Sequence, residues 1–271
     1  MDGGRPLLRE VQDALGIPWV PETWVELSAE PQVAAALWTR LRPVAVTGAF
    51  LRESLSLLSL AFADLADQYG AGEGVALPEG DRRGILLDLD ALLYGNAQLL
   101  LLHSLVSLAM RDGAVGRPSL TGGQRPRSAY RRRVLEAVDE SAAPADVRRL
   151  FDDVRSTLGL PAVPEDVRVV AKWMGFLEPA WGRLKRWHAA QGFEEASRTL
   201  ERRAEAAARR LGPGVTLGDM PDGSEVLERW VEAHAMDWPS LVLMDTFFRA
   251  EAAVHPERRA RASEAGEAQR L

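Results

Sequence analysis

The sequence contains no cysteine, only two lysines and only four histidines. The absence of cysteine excludes a disulfide framework, thiol catalysis, iron–sulfur clusters and cysteine-based zinc sites. The histidines are scattered and never form the HExxH spacing of a helical zinc site. We therefore expect no bound metal and no cofactor. The scarcity of lysine among the 33 basic residues is typical of a GC-rich genome and carries no information about function.

The sequence also has fewer basic than acidic residues and no long apolar run. The 39 acidic residues outnumber the 33 basic ones, and the net charge of −6 argues against a general nucleic-acid-binding protein. The longest apolar run, residues 99–110, is interrupted by a histidine and two serines and is shorter than the roughly 20 residues that span a bilayer. The polar start MDGGRPLLRE lacks the pattern of a signal peptide. We expect a cytoplasmic protein with no membrane and no nucleic-acid partner.

The basic run RPRSAYRRR at 125–133 has two interpretations. Its arginines and its one tyrosine could contact nucleic acid, or the run could be a linker that leads into a solvated helix start. The overall acidity of the chain favours the linker.

Helical periodicity dominates what is present. Apolar residues recur three and four positions apart along the whole chain, as at Val33, Leu37 and Leu41. No stretch alternates with a period of two and is rich in β-branched residues, so we expect no strands. Glycine and proline interrupt the periodic stretches at 70–74, 117–128 and 212–223, which predicts loops there. These patterns predict an all-α fold.

An internal repeat is the most informative feature. Residues 7–22 read LLREVQDALGIPWVPE and residues 150–165 read LFDDVRSTLGLPAVPE, with eight of 16 positions identical at an offset of 143. Helical periodicity places no demand on the irregular Gly-hydrophobe-Pro-x-Val-Pro-Glu part, so its recurrence indicates a duplication rather than chance.

The duplication predicts two tandem helical repeats that form an intramolecular pseudo-dimer. We assign 1–120 to the first repeat, 121–143 to a linker with a basic helix start, 144–255 to the second repeat and 256–271 to a frayed tail. Ligand sites favour the cleft between such repeats. A homodimer stays open, although the duplication makes an obligate one unnecessary.

A duplicated fold with one active site must differ between its repeats at the reacting residues. Asp166 follows the second Val-Pro-Glu, whereas the first repeat has Thr23 at the equivalent position. Asn96 in the first repeat corresponds to a position near Pro239 in the second. This asymmetry makes Asp166 and Asn96 candidates for chemistry.

Three segments stand out in order along the chain: LGIPWVPETW, LDALLYGN and PEDVRVVAKW. Together they resemble the non-stereospecific 2-haloacid dehalogenases, the all-helical group that acts on both D and L substrates. The resemblance covers nearly the whole chain, including the duplication. It implies hydrolysis of a short, anionic 2-haloalkanoic acid to a 2-hydroxy acid, by direct attack of a water that an aspartate activates. It implies inversion at the carbon, no covalent ester and no metal.

The resemblance also assigns the residues of the site. It places the catalytic aspartate at Asp166 and the water-positioning asparagine at Asn96. It places an aromatic pocket residue at Trp19 and a pocket threonine at Thr47. General chemistry agrees, because the attacking water needs a base within hydrogen-bond reach, and a helix start can attract an anionic substrate.

The chain departs from the family pattern around this pocket, at Glu22, Leu51, Glu165 and near Asp237. We include Glu22 and Glu165 among the substrate-binding candidates. Extra carboxylates would repel an anionic substrate unless they face solvent or pair with arginine. The departures leave a second hypothesis open, a family member that binds a small carboxylate in the same inter-repeat cleft without dehalogenating it.

Each candidate also has a purely structural interpretation. Asp166 could be a solvated acid in a first helical turn, and Asn96 and Thr47 could be helix N-caps. Trp19 could be a core anchor, like the repeated pair Trp38 and Trp181. Glu22 and Glu165, as identical repeat mates, could both serve in first-turn capping.

Overall fold

A computed structural model describes residues 4–69, 72–117, 123, 125–130, 132–160, 162–218, 220, 224–234 and 237–254. Within these residues the chain forms helices α1 (Gly4–Leu15), α2 (Glu22–Leu27), α3 (Pro31–Ala45), α4 (Gly48–Tyr69), α5 (Glu79–Asp112), α6 (Ala145–Leu158), α7 (Glu165–Val170), α8 (Met174–Ala189), α9 (Gln191–Arg210), α10 (Ser224–His234) and α11 (Asp237–Ala253). A 3-10 turn, Ala171–Trp173, joins α7 to α8. The tail predicted at 256–271 lies outside the described residues.

Of the residues that the structure describes, 74% lie in helices and 2% in strands, which confirms the all-α fold class. The expected absence of strands is wrong at one point, where β1 (Ala114–Val115) pairs antiparallel with β2 (Val215–Thr216). A ladder of two residues is too short to need an alternating pattern, so periodicity could not reveal it.

The basic run precedes a helix rather than beginning one. The described residues in 125–144 lie outside helices, and α6 begins only at Ala145. Pro144 stands immediately before α6, a position that a proline tolerates because the first helical N–H groups need no partner within the helix.

The residues group into two compact units. Unit 1 comprises Met1–Ala61, Leu93–Val134 and Glu195–Val242, and its core includes Trp24, which packs edge-on against Trp38 and Trp230 at 5.5 and 6.2 Å between ring centroids. In this unit α1 and α2 both pack on α3. The prediction that Trp38 anchors the core is confirmed.

Unit 2 comprises Phe62–Leu92, Leu135–Glu194 and Leu243–Leu271. Trp187 stacks on Phe247 with 5.8 Å between ring centroids, and Tyr69 packs edge-on against the same phenylalanine at 4.7 Å. In this unit α6 packs on α8, and the buried Trp181 of α8 donates to the Asp153 carboxylate of α6 at 2.7 Å.

Helix starts recur at the offset of the sequence repeat. The first residues of α2 and α7, of α3 and α8, and of α4 and α9 are each 143 positions apart. Gly16 after α1 and Gly159 after α6, also 143 apart, both have the left-handed conformation, with φ of 63° and 68°. Only glycine adopts this conformation without steric cost, so both helices end at the same kind of turn.

Helix α5 is long and apolar enough to cross a bilayer, the one such helix in the described part of the chain. However, 83% of its apolar window is buried inside the protein. A helix buried on most of its faces is typical of the core of a soluble protein.

Candidate active site

The indole of Trp19 lies directly on the backbone of α5 at Gly95. A Cβ atom built on Gly95 would be 2.0 Å from Cη2 of Trp19, far inside van der Waals contact, so only glycine leaves room for the ring. The next residue, Asn96, is 2% exposed, and Trp19 is 8% exposed. The structure therefore places the Trp19 ring against the residue that precedes Asn96, within unit 1.

Asn96 does not cap a helix. Helix α5 begins at Glu79, and Gly95 and Asn96 lie in its middle. The N-cap interpretation was wrong because the glycine serves the approach of Trp19 rather than a turn. A buried amide held in the middle of a long helix has a fixed backbone from which to orient a ligand.

Thr47 caps helix α4. Its hydroxyl donates to the carbonyl of Val44 at 2.8 Å and accepts from the N–H of Phe50 at 3.1 Å. The capping interpretation is confirmed, and the side chain is buried. The substrate-binding role of Thr47 stays a prediction.

Arg125 is a site-proximal residue that sequence reasoning missed. Its guanidinium donates to the carbonyl of Leu15, to the carbonyl of Ala45 at 3.3 Å and to the hydroxyl of Tyr94 at 2.7 Å. It also lies 5.7 Å from the centroid of the Tyr94 ring. Tyr94 precedes Asn96 by two residues in α5. No local pattern distinguished Arg125 from the other arginines of the basic run, because they share the same sequence context.

Asp166 is buried in unit 2. It is the second residue of the short helix α7, follows Pro164 at the N-cap, and is only 5% exposed. The interpretation as a solvated first-turn acid is therefore wrong. A carboxylate withdrawn from water is costly unless the protein supplies compensating interactions, which the first turn of a helix provides in part.

The other acidic candidates begin two equivalent helices. Glu22 is the first residue of α2 and is exposed, whereas Glu165 is the first residue of α7 and is half-buried beside Asp166. Among the family departures, Leu51 is buried, and Asp237 begins α11. The substrate-binding roles of Glu22 and Glu165 stay predictions.

An ion pair with a fully buried carboxylate anchors the segment that follows Asp166. Nζ of Lys172 lies 2.7 Å from Oδ2 of Asp88, a fully buried carboxylate on α5, and 4.4 Å from the centroid of the Trp173 ring. Gly84 leaves room for that ring, because a Cβ there would be 2.8 Å from it. Helix α7 itself is held by a second contact, in which the N–H of Val138 donates to the carbonyl of Arg168 in α7 at 3.0 Å. These contacts, all within unit 2, hold α7 in place.

The candidates thus fall in both units. Trp19, Thr47 and Asn96 belong to unit 1, and Asp166 and Glu165 belong to unit 2. The meeting of Asp166 and Asn96 around one water stays a prediction. Within the described residues, no group of three or more His, Asp or Glu side chains could hold a metal ion.

Comparison with known proteins gives one family. The family model described as halocarboxylic acid dehydrogenase DehI matches residues 18–167, a stretch that contains Trp19, Thr47, Asn96 and Asp166. The chain is 23% identical to an (R)-2-haloacid dehalogenase of Rhizobium sp. (strain NHG3), over 78% of this chain and 84% of that protein. It is 26% identical to an (R)-2-haloacid dehalogenase of Pseudomonas putida, over 66% of this chain and 63% of that protein.

Solved structures share the fold. A D-2-haloacid dehalogenase mutant in complex with D-2-CPA superposes with a TM-score of 0.86 at 20% identity, over 93% of this chain and 92% of that one. A D-2-haloacid dehalogenase in complex with L-LA superposes with a TM-score of 0.84 at 21% identity, over 92% of this chain and 91% of that one.

Proposed function

This chain belongs to the DehI family, and on that premise we propose that it is a hydrolytic 2-haloacid dehalogenase. Its substrate is a short 2-haloalkanoic acid and its product the 2-hydroxy acid. The names of the curated relatives support the reaction. The observation that carries the assignment of the base is the burial of Asp166, at the end of the stretch that the family model matches.

Asp166 is the general base in this proposal. Its carboxylate accepts a proton from water, the water oxygen forms a bond to the carbon that bears the halogen, and the carbon–halogen bond breaks. The halide leaves with the bonding electron pair, and the configuration at that carbon inverts. A base within hydrogen-bond reach typically accelerates such a step about 10²–10⁴-fold.

Asn96 orients the attacking water in this proposal, and Trp19, Thr47, Glu165 and Glu22 belong to the substrate pocket. The Trp19 ring contacts Gly95, the residue before Asn96. This contact supports a pocket that has Trp19 as an aromatic wall and the Asn96 amide nearby. The exposure of Glu22 supports the view that its charge stays in water and does not repel an anionic substrate.

The architecture behind the site is, we infer, a duplicated pseudo-dimer with repeats at 1–120 and 144–255. The common offset of 143 for three pairs of helix starts and for the glycines 16 and 159 supports it. A turn and three helix starts in one register are harder to reach by chance than a common periodicity.

Chloride release from each enantiomer of 2-chloropropionate tests the function. We expect release by the wild type and a loss of at least about a hundredfold in kcat for Asp166→Asn, because the amide cannot accept the proton. Asp146→Asn is the matched control, since Asp146 is also the second residue of a helix but is exposed. No release from either enantiomer would contradict the proposed function, and full activity of Asp166→Asn would contradict the assigned base.

The same assay decides stereospecificity. The relatives are named for the (R) or D enantiomer, whereas the sequence resemblance predicts action on both. A single turnover in heavy-oxygen water then tests direct attack. We expect the label in the hydroxy acid, and label in a protein carboxylate would contradict a direct displacement.

A further inference from the structure

A cavity of about 850 Å³ opens in unit 1 and is lined mainly by the basic run and the end of α1. Four arginines and one aspartate belong to its wall, which gives the wall a net charge of +3 in a chain of net charge −6. The charged wall residues are Asp13, Arg42, Arg125, Arg127 and Arg132. A concave surface with one dominant sign of charge concentrates ions of the opposite sign.

We propose that this cavity binds a small molecule with two or more oxyanion groups, carboxylate or phosphate. Planar guanidinium groups match the geometry of both and bind them through paired, charge-assisted hydrogen bonds. The volume lies within the range of small-molecule sites, and a three-carbon haloacid would fill only a small part of it. A molecule with two or more oxyanion groups can engage more than one arginine of this wall, whereas the proposed dehalogenation substrate carries a single carboxylate.

Arg125 is the preorganised part of this site. Its guanidinium is half-buried and is fixed by the carbonyls of Leu15 and Ala45 and by the hydroxyl of Tyr94, all of which are neutral acceptors. Its positive charge is thus held in place without being neutralised by those contacts. A side chain that is already ordered loses little conformational entropy when a ligand binds.

The other arginines of the cavity wall differ in whether a neighbouring carboxylate compensates their charge. Nε of Arg42 lies 2.9 Å from Oε1 of Glu10, so its charge is partly compensated. Arg127 and Arg132 are exposed and, among the residues that the structure describes, form no ion pair. Asp13 opposes anion binding, yet the arginines outnumber it four to one.

Titration calorimetry of the full chain with tripolyphosphate and with citrate tests the proposal. At about 0.15 M salt, where interactions between separated exposed charges are largely screened, we expect saturable one-to-one binding of at least one of the two. The arm that binds more tightly identifies phosphate or carboxylate as the preferred group. The measurement uses no haloacid, so its result is independent of the proposed dehalogenation.

Two variants locate the site. Arg127→Gln and Arg132→Gln should each weaken binding about fivefold to tenfold through loss of a charge-assisted contact. Arg202→Gln, an exposed arginine outside the cavity wall, should leave the affinity unchanged. The proposal is overturned if neither polyanion binds saturably, or if all three variants weaken binding equally. It is also overturned if a single-stranded oligonucleotide binds more tightly than either polyanion and holds several protein molecules at once.

Discussion

At the scale of the single residue, the absence of a side chain at Gly95 leaves the space in which the Trp19 ring lies. Gly95 is in the middle of a helix, where glycine costs about 1 kcal/mol relative to alanine. The contact with Trp19 explains why it is there. The position of the ring on the turn of α5 that carries Asn96 therefore depends on a residue with no functional group of its own.

We expect Gly95→Ala to destabilise the protein by about 1–3 kcal/mol, the cost typical of overpacking, because the new methyl group overlaps the indole. Thermal or denaturant unfolding measures this change. Gly182→Ala is the control, since Gly182 lies in helix α8 and no atom outside its own stretch of helix backbone lies within 4 Å of its Cβ position. This substitution should gain up to about 1 kcal/mol. Equal effects of the two substitutions would mean that the Trp19 contact is not tight.

His188 gives a prediction for pH. Burial lowers the pKa of this histidine below its ordinary value of 6.5, and its ring packs 4.9 Å from that of Phe193. The unfolded chain therefore binds the proton more readily than the folded one, and stability falls as pH falls below 6.5 toward the folded pKa. We expect a shallower loss of stability in this window for His188→Gln than for the wild type, measured by urea unfolding at a series of pH values. A slope of unchanged steepness would contradict the assignment.

At the scale of the element, α7 is a helix of six residues that its surroundings hold in place. Such a short helix is not stable by itself, because nucleation is costly and few hydrogen bonds follow. The pair of Lys172 and Asp88 anchors the turn that follows α7, within the same unit. The position of Asp166 therefore depends on a lysine six residues away.

We expect Lys172→Met to cost about 3 kcal/mol, because it removes an ammonium group 2.7 Å from the fully buried Asp88 carboxylate. Lys185→Met is the matched control, as these are the two lysines of the chain. The Lys185 pair with Asp153 is about 40% exposed on both sides, and Asp153 keeps the Trp181 indole as a donor. Its loss should cost no more than about 1 kcal/mol. Comparable losses for the two variants in chemical unfolding would argue against a special role of the Asp88 pair.

Periodicity was sufficient to predict helices, and the recurring Gly-hydrophobe-Pro-x-Val-Pro-Glu segment begins at Gly16 and Gly159, which the structure shows in the same left-handed conformation. The burial of Asp166 could not be predicted, because Asp146 has the same first-turn position and is exposed. The N-cap interpretation of Asn96 was wrong because a glycine followed by an asparagine is also found inside a helix, where here the glycine accommodates the Trp19 ring. The role of Arg125 depends on contacts with residues 15, 45 and 94, which no local pattern encodes.

At the scale of the whole molecule, each compact unit contains chain from both proposed repeats. Unit 1 combines Met1–Ala61 and Leu93–Val134 with Glu195–Val242, and unit 2 combines Phe62–Leu92 with Leu135–Glu194 and the C-terminal part. The chain passes from one unit to the other five times. A single cut of the chain therefore cannot release either unit complete.

We expect fragments 1–134 and 135–271 to be unstable when expressed separately and to copurify as a one-to-one complex when coexpressed. The reason is that each fragment lacks segments of both units. Circular dichroism and the mass of the complex, compared with 29.7 kDa for the intact chain, measure the outcome. A fragment that unfolds cooperatively by itself would contradict this expectation.

The exchange of segments also bears on how such a chain could have arisen. An ancestor that carried one repeat would have lacked part of every unit, and two copies would have completed each other by reciprocal swapping. In the proposed duplication, gene fusion would have converted a concentration-dependent association into an intramolecular one. The two copies would then have been free to diverge, so that an acid was kept in one and an amide in the other.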